Sequence, residues 1–253
     1  MGENRMKTQK IQKQFKRREV KFILDKETFA QFEQELSQYM VEDQFAKSTI
    51  SNVYFDNDDF DMIQDAVAHK NGREKVRMRV YDQQPSFQSQ AFLEIKKKVE
   101  GVGYKFRLTS TPIAITNYIE HFSDHSNVLD AQVSAELQSL TKRYGKLSPK
   151  MYIYYDRSSY RGRDDRKLRL TIDQNLIYRD VEVPLLHQKY GYPLLPHHLM
   201  IMEIKIQDTM PHWLQDLLDK YHLEQQSFSK YGTAYRLNQE MVKGAAFADR
   251  LIL

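Results

Sequence analysis

Charged and apolar side chains alternate one for one along several stretches of this chain. Between positions 73 and 80, Arg73, Lys75, Arg77 and Arg79 take every second place, and Glu74, Val76, Met78 and Val80 fill the gaps. A period of two places each set on its own face of a β-strand. The same alternation surrounds Glu19-Val20-Lys21, Glu94-Ile95-Lys96 and Glu203-Ile204-Lys205, three copies of one Glu-x-Lys pattern.

The rest of the chain divides by period. A first strand is expected from Phe15, with Arg17, Glu19 and Lys21 on one face and Val20, Phe22 and Leu24 on the other. Phe29, Phe32, Leu36 and Tyr39 recur at helical spacing and predict a helix over 26–40. The β-branched and aromatic run 48–56 reads as a strand, and 58–69 as a short helix or a structured loop. Strands at 73–82 and 90–98 flank the turn-rich Gln83-Gln84-Pro85-Ser86, and another covers 102–109. From 113 to 144 the spacing turns helical through Ile115, Ile119, Phe122, Leu129, Val133, Leu137 and Leu140. Pro112 suits the first turn of that stretch and Gly145 its end. Strands return at 149–160, 168–173 and 199–206, and helices follow at 211–222 and after Ser229 through Leu237 toward Met241. No Pro/Ser linker splits the chain. One α+β domain over 15–240 is expected, with a helical insert at about 113–148, a mobile basic arm at 1–14 and a C-terminal tail at 241–253.

Composition narrows the function. No apolar run approaches the roughly 20 residues that span a bilayer. The absence of cysteine excludes disulfides, thiolate metal sites and a Cys nucleophile. A net charge of +4 is too small for the footprint of a DNA-binding protein, so DNA is not expected as a partner. A cytoplasmic location is expected, with peripheral association at the inner face of the membrane through the basic arm as an alternative.

The local charge pattern is the informative quantity. Like charges at i and i+2, and opposite one another across strands, repel. A solvated face would mix signs, whereas these faces carry rows of Arg and Lys with a few Glu. A closed antiparallel β-barrel with a polar, cationic interior and an apolar exterior covered by helices accounts for the pattern. Such an interior needs an anionic occupant, most simply a chain of phosphates.

The ordered motifs resemble those of the VTC domain, the catalytic domain of polyphosphate polymerases in the triphosphate tunnel (CYTH-like) superfamily. They are Arg17-Arg18-Glu19-Val20-Lys21, Tyr54-Phe55-Asp56, Lys75-Val76-Arg77-Met78-Arg79, Leu93-Glu94-Ile95-Lys96, Lys105-Phe106-Arg107, Tyr155-Asp156-Arg157, Arg169-Leu170-Thr171-Ile172-Asp173, Glu203-Ile204-Lys205 and Ser229-Lys230-Tyr231. Arg17 stands where triphosphatases of the superfamily carry a first glutamate, as in the polymerase branch. The phosphate-sensing domain and membrane segment of the eukaryotic polymerases have no counterpart here. The resemblance therefore implies a bacterial stand-alone form, with a separate membrane protein as partner for any transport.

The resemblance implies metal-dependent phosphoryl transfer on ATP and polyphosphate, most simply polyphosphate synthesis from ATP. Arg77, Arg79, Lys96 and Arg157 would act on the transferred group. Lys21, Lys105, Arg107, Tyr155, Arg169, Lys205 and Lys230 would complete the phosphate-binding surface. Glu203 would hold Mn²⁺ or Mg²⁺, with Glu19 and Glu94 as further candidates. A triphosphatase, in which water attacks instead, is one alternative, and a non-catalytic polyanion binder is another. Plainer readings stand beside these. Glu94 and Glu203 could be cross-strand ion pairs, and Arg73 and Lys75 could sit at a strand end in solvent. Lys97 faces away from Lys96. His187, His197 and His198 lie in a loop-like stretch that does not suggest zinc, and Trp213 suits a core.

Overall fold

The computed structural model describes residues 18–121, 130–184, 186–207 and 209–250; the side chains of 244–250 are outside the description. The arm at 1–14, Arg17, Phe122 and Leu129 therefore lie outside the described residues. Among the described residues the chain forms nine strands and six helices. These are β1 (Arg18–Asp25), α1 (Lys26–Leu36), β2 (Met40–Asp56), α2 (Asp61–Val67), β3 (Arg73–Val80), β4 (Ala91–Val99) and β5 (Val102–Ser110). There follow α3 (Pro112–Glu120), α4 (Ala131–Tyr144), β6 (Ser148–Gly162), β7 (Arg169–Arg179), β8 (Tyr192–Pro193), β9 (Leu199–Ile206), α5 (His212–Lys220) and α6 (Lys230–Arg250). No helix among the described residues is long and apolar enough to cross a membrane.

All strands join one antiparallel sheet in the order β1-β9-β7-β6-β2-β3-β4-β5, with β8 beside β7. The alternation seen in the sequence sets its two faces. On the outer face, Val20, Phe22 and Leu24 of β1 join Met202, Ile204 and Ile206 of β9 under Phe29, Phe32 and Leu36 of α1 and Leu214, Leu217 and Leu218 of α5. Val76, Met78 and Val80 of β3 and Leu93 and Ile95 of β4 pack the same way under α3 and α4, through Ile115, Ile119, Val133, Leu137 and Leu140. The helical insert is thus a cover for one half of the outer face. Local capping fixes where the helices begin. Asp25 accepts from Thr28 N at α1, and Asp130 accepts from Gln132 N and Val133 N at α4.

The closed barrel does not form. Among the described residues β1 and β5 end the sheet and are not paired with each other. The sheet still curls enough that side chains of β1 and β4 line one cavity. The β1 edge is occupied instead by the segment after α5, where Gln226 N donates to Lys21 O at 2.8 Å. Nor is the inner face wholly polar. Ile50, Tyr54, Met151, Ile153, Tyr155 and Ile201 form a third apolar core there with Ile63 of α2 and Tyr231 and Ala234 of α6. Buried Asp56 ties this layer together by accepting from Met62 N, Ile63 N and Tyr231 Oη.

Several boundaries also differ from expectation. β2 begins at Met40, where the sequence suggested a helix to 40 and a strand only from 48. Its polar half, with Glu42, Asp43, Gln44 and Lys47, lacks a clean alternation because a register shift interrupts its pairing with β6 between Glu42 and Lys47. β7 continues to Arg179 past an irregularity opposite Tyr154 and Asp156. α6 runs to Arg250, so the tail assigned from 241 is helical that far.

The packing predicts a specific cost. Leu214→Ala empties a fully buried position under α5 and should destabilise the fold by about 2–5 kcal/mol. Urea unfolding monitored by circular dichroism measures it, and a change below 1 kcal/mol, in the range of a surface substitution, would show that α5 does not hold the outer face.

Candidate functional site

The charged half of the inner face surrounds a cavity of about 200 Å³. Eight cations line it (Lys21, Lys75, Arg77, Arg79, Lys96, Arg157, Lys205 and Lys230) against two carboxylates, Glu19 and Glu203. Strand register places them. Antiparallel pairing sets Lys21 opposite Glu203 and Glu19 opposite Lys205. It also sets Arg77 opposite Glu94 and Lys75 opposite Lys96, with Lys105 opposite Lys96 on the other side. Lys75, Lys96 and Lys105 thus stand side by side on three strands, and of the three Lys105 is neutralised by Glu94 at 2.5 Å.

Two buried ion-pair clusters hold the cage. Arg157 grips Asp173 through two bonds, Nε to Oδ1 at 2.6 Å and Nη2 to Oδ2 at 2.7 Å. Lys230 Nζ lies 2.6 Å from Asp173 Oδ2 and 3.1 Å from Glu203 Oε1. In the second cluster Arg77 donates to Glu94 Oε2 from Nε at 2.8 Å, and Lys105 Nζ lies 2.5 Å from Oε1. Arg79 is fixed by Asn52 Oδ1 and the Tyr155 hydroxyl, both at 2.9 Å. Ser229 opens α6 by accepting from Gly232 N, and its hydroxyl also accepts from Lys75 Nζ at 2.9 Å.

Burial and charge set the protonation states. Burial would raise the Glu203 carboxyl, but Lys230, Lys21 and Arg157 outweigh it and hold the group well below its ordinary range. Asp173 behaves likewise, lowered by Lys230 and Arg157 against burial. Burial would depress the Lys230 ammonium, yet Asp173 and Glu203 raise it. Lys96 moves the other way. The Arg77 guanidinium, and then burial, push it down to about 7. Lys75 and Lys205 are lowered as well, chiefly by burial.

Of the residues expected from the sequence, Lys21, Arg77, Arg79, Lys96, Tyr155, Arg157, Lys205, Lys230, Glu19 and Glu203 come together around the cavity. Four do not line it. Lys105 and Arg107 turn to Glu94, at 2.5 and 3.9 Å, and Arg107 stacks on Phe92. Glu94 is consumed by those partners. Arg169 is mostly exposed and pairs with Asp43 at 3.6 Å. Tyr54, Lys75 and Ser229 also line the cavity, and Asp173 anchors Lys230 behind it, beyond the residues that the motifs implied. Lys75 continues the Arg77–Arg79 alternation, which marked it, and Asp173 and Ser229 lie inside motifs already singled out. Lys97 does face away, pairing with Glu136 at 3.2 Å, and Trp213 stacks on Tyr39 beside the outer core.

Residues 16–238 match the profile of the VTC domain. The chain belongs to the VTC domain family. This VTC domain also shares its fold with a solved protein from Bacillus halodurans described as an adenylate cyclase candidate. The TM-score is 0.51 at 14% identity, covering 83% of this chain and 92% of that one. A Hippeastrum protein, described as an adenylyl cyclase candidate with a dominant triphosphatase activity, aligns with a TM-score of 0.49 at 16% identity. That match covers 86% and 94% of the two chains. No curated protein matches the sequence.

The resemblance of the motifs to triphosphate tunnel enzymes implies a divalent metal ion, for which the carboxylates at the cavity are the available donors. No cluster of three or more acidic or histidine side chains occurs among the described residues. Glu203, ionised and facing the cavity with Glu19, fits an ion shared with phosphate oxygens. Mg²⁺ typically binds this way, through one or two carboxylates plus substrate phosphates. Glu94 has no oxygen left for such a role.

Two outcomes follow from the electrostatics. Lys96 sheds its proton as pH climbs past about 7, so tripolyphosphate affinity should fall across that value. Lys96→Arg, charged throughout, should flatten the fall in a calorimetric titration; a pH-independent affinity in the unmodified protein would contradict it. Asp173→Asn removes the nearer counter-charge of buried Arg157 and Lys230, leaving them only Glu203, and should cost about 3–5 kcal/mol in denaturant unfolding.

Proposed function

We propose that this VTC domain synthesises polyphosphate by transferring phosphoryl groups from ATP, with Mn²⁺ or Mg²⁺ shared between Glu203 and the phosphates. The observation that carries the reading is the cross-strand pair Lys75–Lys96, which faces the cavity beside Arg77 and Arg79. Like charges in direct register destabilise a sheet. They are tolerated where a polyanion neutralises them, and adjacent lysines facing one cavity match adjacent phosphates of a chain.

Phosphoryl transfer asks a protein for positioning and charge neutralisation rather than covalent chemistry. Arg77 and Arg79 are held rigidly by Glu94, Asn52 and Tyr155. They would fix the triphosphate of ATP and offset charge as it develops on the γ-phosphoryl group. Arg157 and Lys230, locked on Asp173, would hold the acceptor chain. A terminal oxygen of that chain forms the new bond to the γ-phosphorus. The bond from that phosphorus to its bridging oxygen breaks, and ADP leaves with the electron pair. A divalent ion, if held by Glu203 with Glu19, would supply further neutralisation of phosphate charge.

The test is to incubate the protein with ATP and Mn²⁺, resolve the products on a gel stained for polyphosphate, and assay ADP and free phosphate. A ladder of chains with ADP is expected, and Arg77→Ala should reduce the rate by about 10²-fold or more. Glu203→Gln should suppress metal-dependent turnover while binding of tripolyphosphate persists. Free phosphate without chains would replace the polymerase by a triphosphatase. Binding without turnover would leave a polyanion-binding module.

A further inference from the structure

A second, larger cavity of about 500 Å³ lies outside the cage and shares Lys75, Lys96 and Ser229 with it. One wall is the β4–β5 hairpin, through Lys98, Gly103, Tyr104 and Lys105. The facing wall includes Ser227 and Ser229 of the segment that follows α5. That segment is tied to the free edge of β1. Gln226 N donates to Lys21 O at 2.8 Å, Lys21 Nζ to Phe228 O at 2.8 Å, and Arg18 to Gln225 Oε1 at 3.3 Å. The groove therefore lies between the β4–β5 end of the sheet and the segment bound along β1, with Ile63, Ala66 and Val67 of α2 and Arg236 of α6 completing its lining; β1 and β5 are not paired among the described residues.

Charge marks this gap as a path. Arg73, Lys75, Lys96, Lys98, Lys105 and Arg236 line the groove, with Glu74 as the acidic lining residue. Glu74 is buried on the opposite face of β3, where Tyr144 Oη and Arg143 already donate to it. Lys75 and Lys96, which line both cavities, are the threshold between groove and cage. In a closed barrel a pair of hydrogen-bonded strands would stand at this place, and a long chain could reach the interior only by its end.

We infer that the cage takes long condensed-phosphate chains side-on, through the slot between β1 with its flanking segment and β5, so that an internal stretch of chain can occupy the site without a free terminus passing through. Each internal phosphate carries a negative charge and little bulk. A stretch lying in the groove would meet Lys98 and Arg236 on the rim and Lys75 and Lys96 at the threshold. This inference rests on the polyanion reading of the cage, and the experiment separates the two.

Three ligands are compared by calorimetry on the full chain: tripolyphosphate, long polyphosphate with free ends, and the same long polyphosphate with both ends joined to streptavidin, which is too large for the cavity. Side-on loading predicts that end-blocked and free-ended chains bind within about threefold of each other. It also predicts that Lys98→Glu with Arg236→Glu weakens both long ligands by about tenfold or more. The same pair of substitutions should affect tripolyphosphate much less. Both side chains are exposed, so the variant should fold, and its unfolding transition checks this. If free-ended chains bind and end-blocked chains do not, the cage is loaded from the end and the inference fails while the polyanion reading stands. If end-blocked chains bind but the double variant binds them unchanged, the groove is not their path and the inference fails again. If tripolyphosphate itself does not bind, both readings fall together.

Discussion

The structure depends on how it keeps a dense group of cations in a partly buried place. Arg157, Lys230, Asp173 and Glu203 form one linked cluster across β6, β7, β9 and the start of α6. Charges taken out of water are costly unless they are paired with good geometry. Here the bidentate Arg157–Asp173 contact and the short Lys230–Asp173 contact supply that geometry. Glu94 does the same for Arg77 and Lys105. These acids let the strands associate, and they leave the cage with a large positive excess. That excess is the part of the charge available to a ligand.

The same inner face serves two purposes at once. One half is an apolar layer filled by α2 and α6, and the other is the cage. Tyr54 and Tyr231 sit at the boundary, stacked 4.6 Å apart, with the Tyr231 hydroxyl on buried Asp56. The hydroxyl of Tyr54 meets Arg77. Burial would raise its pKa, but Arg77 and Arg79 draw it below the usual tyrosine range. α6 is therefore both a core helix and a wall of the site. Ser229, just before it, and its first residues Lys230 and Tyr231 reach Lys75, Glu203, Asp173 and Asp56. Packing of the apolar half thereby fixes the position of groups in the charged half.

Much of this was legible in the chain, and the reason differs element by element. In β3 the alternation of Arg and Lys with other residues announced both the strand and the inward face, because period two has one structural meaning over such a length. The insert was legible as helices because Val133, Leu137 and Leu140 follow a helical period onto an apolar sheet. The first half of β2 was not, because beyond buried Met40 its side chains are exposed or half-buried without a clean alternation around a register shift, and its strand character comes from backbone pairing with β6. Arg169 was read as a site residue from its place in a motif, yet its partner is Asp43. A motif gives a residue's face along its own strand and says nothing of the neighbour that captures it.

The sequence by itself determined the family, the α+β class, the two-faced strands and the cationic character of the inner face. These are properties of local period and residue type, and they survive any arrangement of the strands. Only the tertiary structure decided that the sheet stays open between β1 and β5, and that half of its inner face is apolar. It alone decided which cations are neutralised and which remain for a ligand. Those outcomes rest on contacts between residues far apart in the chain, such as Lys21 with Phe228, Lys75 with Ser229 and Glu203 with Lys230. Charge–charge energies depend on such distances and on burial, and neither is written in the order of residues along one strand.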